Sequence, residues 1–191
     1  MNRLLPLLML ALAACGQADA GGEPPLAGAS IGGPFSLTDG AGRTVTDRSF
    51  AGRYPIMYFG YTFCPDVCPT DMAAIAAGLR QVERSDPAKA AKVVPVFVTV
   101  DPERDTPAVV EKFARAFHPR AVGLTGSPAT IAAVAKSYAV FAQKGEGTKD
   151  GYLVNHGRAA YLMGPDGKPI ALAGADGGPA EVARTIERWV Q

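Results

Sequence analysis

The chain has 191 residues, 48% of them hydrophobic, which suits one domain with a buried core and excludes disorder throughout. Its 19 Lys and Arg balance 18 Asp and Glu with no run of like charge, so the basic footprint of a nucleic-acid-binding protein is missing. Its longest apolar run falls short of the roughly 20 residues a membrane-spanning helix needs, which excludes a transmembrane anchor on length.

The opening MNRLLPLLMLALAACG has a basic start at Arg3, an apolar run from Leu4 to Leu12 and small residues before a cysteine. It reads as a signal peptide over residues 1–14. Leu12-Ala13-Ala14-Cys15 follows the lipobox pattern, so Cys15 is the expected lipidation site. The protein is then expected in the cell envelope, lipid-anchored to a membrane on its periplasmic side. Ordinary cleavage after Ala18 or Ala20 is the alternative and would leave it free. Removal of residues 1–14 takes only Arg3 from the charge balance, leaving 18 side chains of each sign. Residues 15–33, rich in Gly, Ala and Pro, read as a lipidated flexible tether, its 17 residues from Gln17 spanning roughly 20–25 Å. The folded domain is expected over 34–191.

FSLT and RTVT alternate apolar and polar residues around Asp39-Gly40-Ala41-Gly42, the pattern of a hairpin. YPIMYFGY (54–61) and VVPVFVTV (93–100) are continuous apolar runs fit for central strands. From Thr70, a plausible N-cap, Met72, Ile75, Ala76, Leu79 and Val82 recur at helical spacing. Thr106-Pro107 opens a second helix with Val109, Val110, Phe113 and Phe117 on its buried stripe, and Ser127-Pro128 opens a third through Ile131, Val134 and Tyr138. Short AVGLTG lies between these two helices. A strand is expected near Val140–Ala142, then a polar loop GEGTKDG, a strand pair AAYLM and PIALA joined at Asp166-Gly167, and a last helix carrying Val182, Ile186 and Trp189. This order predicts an α/β fold with a central mixed sheet flanked by helices, thioredoxin-like, with an N-terminal β-hairpin.

Two of the three cysteines, Cys64 and Cys68 in YTFCPDVCPT, fall between a central strand and a helix start. Backbone N–H groups there favour thiolate over thiol. Outside the cytoplasm a disulfide, redox or structural, is the default for such a pair. Three intervening residues also let both sulfurs converge on a soft ion such as Cu(I), and spacing alone does not choose between the two. Structural zinc wants four closed ligands, and no second cysteine pair exists. Of the two histidines, His118 in FHPR reads as structural at a helix end. His156 in LVNHGRAAYL follows the polar loop on a non-regular segment which, in a thioredoxin-like chain order, faces the cysteine turn. Thioredoxin-type oxidoreductases place a cis-proline there, where this chain has Val154-Asn155-His156-Gly157. Peroxiredoxin chemistry is disfavoured because Tyr61 and Met57 hold the positions of its threonine and proline.

GYTFCPDVCP, VDPERDTP, FHPRAVGLTG and the late VNHG…YL together closely resemble the Sco/SenC family of copper proteins, in its bacterial lipoprotein form, across about residues 31–190. The resemblance implies one copper per domain, bound by Cys64, Cys68 and His156 as Cu(I), with the histidine helping to accommodate Cu(II). It implies a metallochaperone, not an enzyme, that helps assemble the dinuclear copper centre of cytochrome c oxidase. Expected partners are the copper-bearing oxidase subunit, a thioredoxin-like reductant and an upstream copper donor. The family usually has Asp before the site histidine and Ser after it, whereas Asn155 and Gly157 stand here. Asn155 and Asp66 are the candidates for contacts around the ligands, and Asp101 and Arg104 are expected only to order their loop. The rival readings are a thiol:disulfide oxidoreductase acting on the oxidase subunit's cysteines, which predicts that His156 is dispensable, and a copper or redox sensor.

Overall fold

A computed structural model describes residues 22–148 and 151–191. The predicted signal peptide, Cys15 and the first part of the tether lie outside the described residues.

The expected hairpin forms as β1 (Ser36–Asp39) and β2 (Thr44–Thr46), antiparallel, with Leu37 opposite Val45. Asp39 closes its turn, Oδ1 accepting from the N–H groups of Ala41 and Arg43. The two apolar runs become β3 (Tyr54–Gly60) and β4 (Val93–Thr99), parallel to each other and buried along their whole length. Continuous hydrophobicity is what a parallel pair covered on both faces requires. Next to β4 lies β5 (Val122–Thr125), and next to β3 lies the antiparallel β8 (Ala160–Met163), which pairs in turn with the antiparallel edge strand β9 (Pro169–Leu172). The order across this seven-stranded sheet is β2-β1-β5-β4-β3-β8-β9.

The helices are α1 (Val67–Ser85), α2 (Pro87–Ala91), α3 (Pro107–Phe117), α4 (Pro128–Ser137) and α5 (Pro179–Trp189). Alternation along β3 divides the core in two. Tyr54, Ile56 and Tyr58 pack with α1, α3 and α5, while Met57 and Phe59 pack with α4, Phe35 and Phe50. The result is the thioredoxin-like arrangement expected, a central mixed sheet with flanking helices.

Several local features differ from the sequence expectation. The five-residue α2 is too short for periodicity to reveal, and Asp86 starts it by accepting from the Lys89 N–H at 3.0 Å. Much of the predicted polar loop GEGTKDG is strand. β6 (Ala142–Thr148) pairs antiparallel with β7 (Gly151–His156) in a separate two-stranded sheet. Exposed Gly and charged residues conceal such a ribbon, because it has little buried face to impose alternation. Residues 22–33 read as tether, yet this part lies along the domain. Leu26 N–H donates to Ile170 O at 3.0 Å and Gly32 N–H to Ser137 O at 2.8 Å, with Leu26 and Ile31 against the second core. Two isolated apolar side chains give no period, but they suffice once a surface exists to receive them.

Candidate metal centre

β3 leads the chain into the site at Gly60. A Cβ on Gly60 would lie 2.8 Å from Cys68 Sγ, so the sulfur occupies the space a side chain would take. Beyond it Tyr61 is buried, and the Cys64 N–H donates back to Tyr61 O at 3.2 Å, turning the loop toward the helix start. α1 begins at Val67, three residues before the expected N-cap, so Cys68 lies in its first turn. The Cys68 N–H donates to Cys64 Sγ at 3.4 Å, giving one of the unpaired donors of a helix start a sulfur partner. Thr70 does not cap: its hydroxyl donates to Asp66 O at 2.9 Å, inside the helix. Burial of Cys68 and packing of Val67 on the core extend α1 to this point, a tertiary effect that capping chemistry does not report.

His156 was expected on irregular backbone and instead ends β7. Its Nδ1 lies 2.9 Å from Gly157 O; the Nδ1–H donates there, which leaves Nε2 facing Cys68 Sγ at 3.2 Å. One donor atom from each of Cys64, Cys68 and His156 lies within 4.8 Å of the other two, and among the described residues this is the cluster able to hold a metal ion. The edge of the Tyr61 ring system meets the imidazole with centroids 5.8 Å apart at 89°.

The loop after β4 fixes this geometry from behind. Asp101 and Arg104 do pair, Nε to Oδ2 at 2.5 Å. Their role goes further than ordering the loop, because Tyr152 on β7 donates its hydroxyl to Asp101 Oδ1 at 2.7 Å and the Arg104 guanidinium lies 3.7 Å over the Tyr152 ring. The ribbon carrying His156 is thereby docked. Buried Asp105 does the same for the cysteine loop, accepting from the Thr62 N–H (3.0 Å), the Thr62 hydroxyl (2.6 Å) and the Thr99 hydroxyl (2.6 Å). Burial raises the Asp105 carboxyl above the usual carboxylate range despite these bonds. Sequence reasoning missed Asp105, Tyr61 and Gly60 as supports of the site; the DTP of the loop entered the resemblance but by itself signalled only a helix start.

The remaining candidates lie elsewhere. His118 caps the end of α3, buried, its Nδ1 accepting from the Arg120 N–H at 3.2 Å and its Nε2 3.2 Å from Glu83 Oε1. It is structural as expected, through these groups and not through the last helix carbonyls. Asp66 is exposed at the start of α1 and makes no side-chain cap. Asn155 is exposed on the opposite face of β7 from His156, so the contact expected of it is made by the Gly157 carbonyl.

Residues 23–191 match SCO1/SenC. The chain belongs to the SCO1/SenC family. It is 46% identical over 145 residues to the mitochondrial Protein SCO1 homolog 1 of Arabidopsis thaliana, an alignment covering 75% of this chain and 42% of that protein. Bradyrhizobium japonicum ScoI, solved with copper bound, superposes with a TM-score of 0.74 at 42% identity, covering 83% of this chain and 99% of that one. BsSco, a member of the Sco family of cytochrome c oxidase assembly proteins in which a disulfide switch was identified, gives 0.61 at 25%, covering 82% and 91%. The chain spans about half the length of the curated relatives it matches, 42% and 52% of the first two. Among the described residues no helix is long and apolar enough to cross a membrane.

In this SCO1/SenC chain the helix start does not leave Cys68 a thiolate. The side chain is fully buried, and that burial pushes its thiol up to about 12. Reactivity therefore rises with pH, since only the thiolate attacks. At pH 8 iodoacetamide is expected to label Cys68 roughly a thousandfold more slowly than an ordinary cysteine of pKa about 8.5, with about a tenfold gain per pH unit. Peptide mass mapping of quenched time points measures this; labelling at the rate of a model thiol would show that burial does not hold the proton.

Proposed function

We propose that this SCO1/SenC chain carries one copper ion on Cys64 Sγ, Cys68 Sγ and His156 Nε2, and supplies it to the copper-bearing subunit of cytochrome c oxidase. The lipid on Cys15 would hold it at the periplasmic face of a membrane while it does so. The observation that carries this reading is the convergence of three soft or borderline donors within 4.8 Å. Two thiolates select Cu(I), and the imidazole adds the nitrogen that Cu(II) accepts; tetrahedral structural zinc would lack its fourth ligand. Copper bound to Bradyrhizobium ScoI supports the metal, and the assembly role of BsSco supports the destination.

Release would proceed by ligand exchange, with no substrate bond broken. Phe63 and Phe141, 55% and 59% exposed beside the ligand-bearing segments, offer apolar contact to a docking partner. The two sulfurs lie within 4.8 Å of each other, and the switch in BsSco supports a redox role for Cys64 and Cys68. An oxidised pair cannot ligate Cu(I), so a thioredoxin-like dithiol would reduce it before an upstream donor loads the site.

The test is anaerobic titration of reduced protein (residues 22–191) with Cu(I) against a competing chelator, then incubation with the reduced, copper-free oxidase subunit. One tight equivalent that moves to the subunit is the expected result. If the metal-free dithiol instead reduces the oxidised subunit and copper never transfers, the chain is a thiol reductant.

A further inference from the structure

One carboxylate joins the three elements that supply the site. Asp71 lies on α1 one turn beyond Cys68 and is fully buried. From β3, Tyr58 donates its hydroxyl to Asp71 Oδ2 at 3.0 Å. From the segment just after His156, Arg158 donates Nη2–H to Oδ1 at 2.6 Å and Nε–H to Oδ2 at 3.1 Å. Tyr58 also borders the sulfur: an added Cβ on Gly60 would lie 2.8 Å from Cys68 Sγ and 3.0 Å from Tyr58 Cε1.

A buried carboxylate needs compensation, and here it comes from the two-point guanidinium grip of Arg158, whose side chain is 44% exposed. The planar fork fixes direction as well as distance. Because Arg158 is two residues from His156, the grip sets how far the histidine segment stands from the helix bearing Cys68. His156 Nδ1 has only its own neighbour's carbonyl, and Tyr152 docks the preceding ribbon on Asp101, so the imidazole's distance from α1 depends as well on how Arg158 holds the segment that follows.

We infer that Arg158 and Asp71, with Tyr58, are positioning residues that hold His156 Nε2 against the two sulfurs and thereby set the site's preference between Cu(II) and Cu(I). The inference rests on the copper reading above. Two thiolates satisfy Cu(I) largely by themselves, whereas Cu(II) depends on the nitrogen. Loosening the grip therefore weakens one oxidation state more than the other.

The experiment compares wild type with Arg158→Lys, Arg158→Ala and the doubly neutral Arg158→Gln/Asp71→Asn, which leaves no buried unpaired charge should Arg158→Ala fail to fold. Cu(II) affinity is read anaerobically from the thiolate-to-copper charge-transfer absorption and Cu(I) affinity by chelator competition. The His156 ring signals are followed by NMR in the metal-free protein. Arg158→Ala and the double variant are expected to lose about 10–100-fold in Cu(II) affinity, with less than about a tenfold change for Cu(I). Their His156 ring signals should shift or broaden, and Arg158→Lys should recover part of both effects. Equal losses for both oxidation states with unchanged ring signals, or no loss in a folded variant, would overturn the inference. His156→Ala separates the two levels. If it lowers Cu(II) affinity while the network variants do not, the inference alone fails; if it leaves Cu(II) binding intact, the histidine's place in the site fails and the inference with it.

Discussion

Cys68→Ser is expected to lower Cu(I) affinity by about 10²–10³-fold. The figure follows from four-ligand thiolate and imidazole sites, whose ~10–16 kcal/mol of binding divides into roughly 2.5–4 kcal/mol per ligand. Cys64→Ser should cost as much, since each serine replaces a soft sulfur by a hard hydroxyl that Cu(I) does not favour. His156→Ala should cost Cu(I) less than either, because two thiolates remain. The order of the three variants in a chelator competition is the informative result. Serine variants that bind as tightly as the native chain would place the metal elsewhere. The fold should survive Cys68→Ser in the metal-free state: the serine hydroxyl can reach His156 Nε2, now 3.2 Å from Sγ, and so meets the demand that a buried polar group be paired.

Asp105→Ala is expected to destabilise the domain by about 2–4 kcal/mol. Three donors, the Thr62 N–H and the hydroxyls of Thr62 and Thr99, lose their acceptor at once. Each buried group left unpaired costs about 1–3 kcal/mol, offset in part by no longer burying a carboxylate. The sign of the pH dependence follows from the raised carboxyl. A carboxyl raised on folding gives stability that is complete below its unfolded pKa of about 3.9 and is lost as pH rises through the folded value. The gap between wild type and Asp105→Ala is therefore widest in acid and narrows toward neutrality. Urea denaturation across that range measures it. The same substitution frees Thr62, two residues before Cys64, so hydrogen exchange at the Thr62 amide should accelerate. An unchanged midpoint and unchanged exchange would show that the cysteine loop is held by other contacts.

The sequence by itself determined the elements with strong local patterning. The continuous runs 54–61 and 93–100 read as covered central strands, the hairpin at Asp39–Gly42 has its turn chemistry in place, and the helical stripes of α1, α3, α4 and α5 repeat at the required spacing. Cys64 and Cys68 were visible as a chemically active pair, because a CxxxC between strand and helix is local information. His156 was different. Residue by residue it carried no ligand signature; its place facing the cysteine turn in a thioredoxin-like chain order, and then the chain's likeness to copper proteins, made it a candidate ligand.

Only the tertiary structure decided how these parts meet. His156 and Cys68 are 88 positions apart, and no local period encodes a contact over that distance. The start of α1 at Val67 comes from burial of Cys68. The β6–β7 ribbon exists because Tyr152 docks on Asp101 and Arg104, and residues 22–33 lie down because the body of the domain offers Ile170 and Ser137 as partners. The groups around the ligands were the least legible of all. Asn155, adjacent in sequence, points away by strand alternation, while Asp71, Asp105 and the Gly157 carbonyl are placed by folding alone. Periodicity records which side chains leave water, and a hydrogen bond between distant segments leaves no such record, so the core could be read from the chain and the polar framework of the site could not.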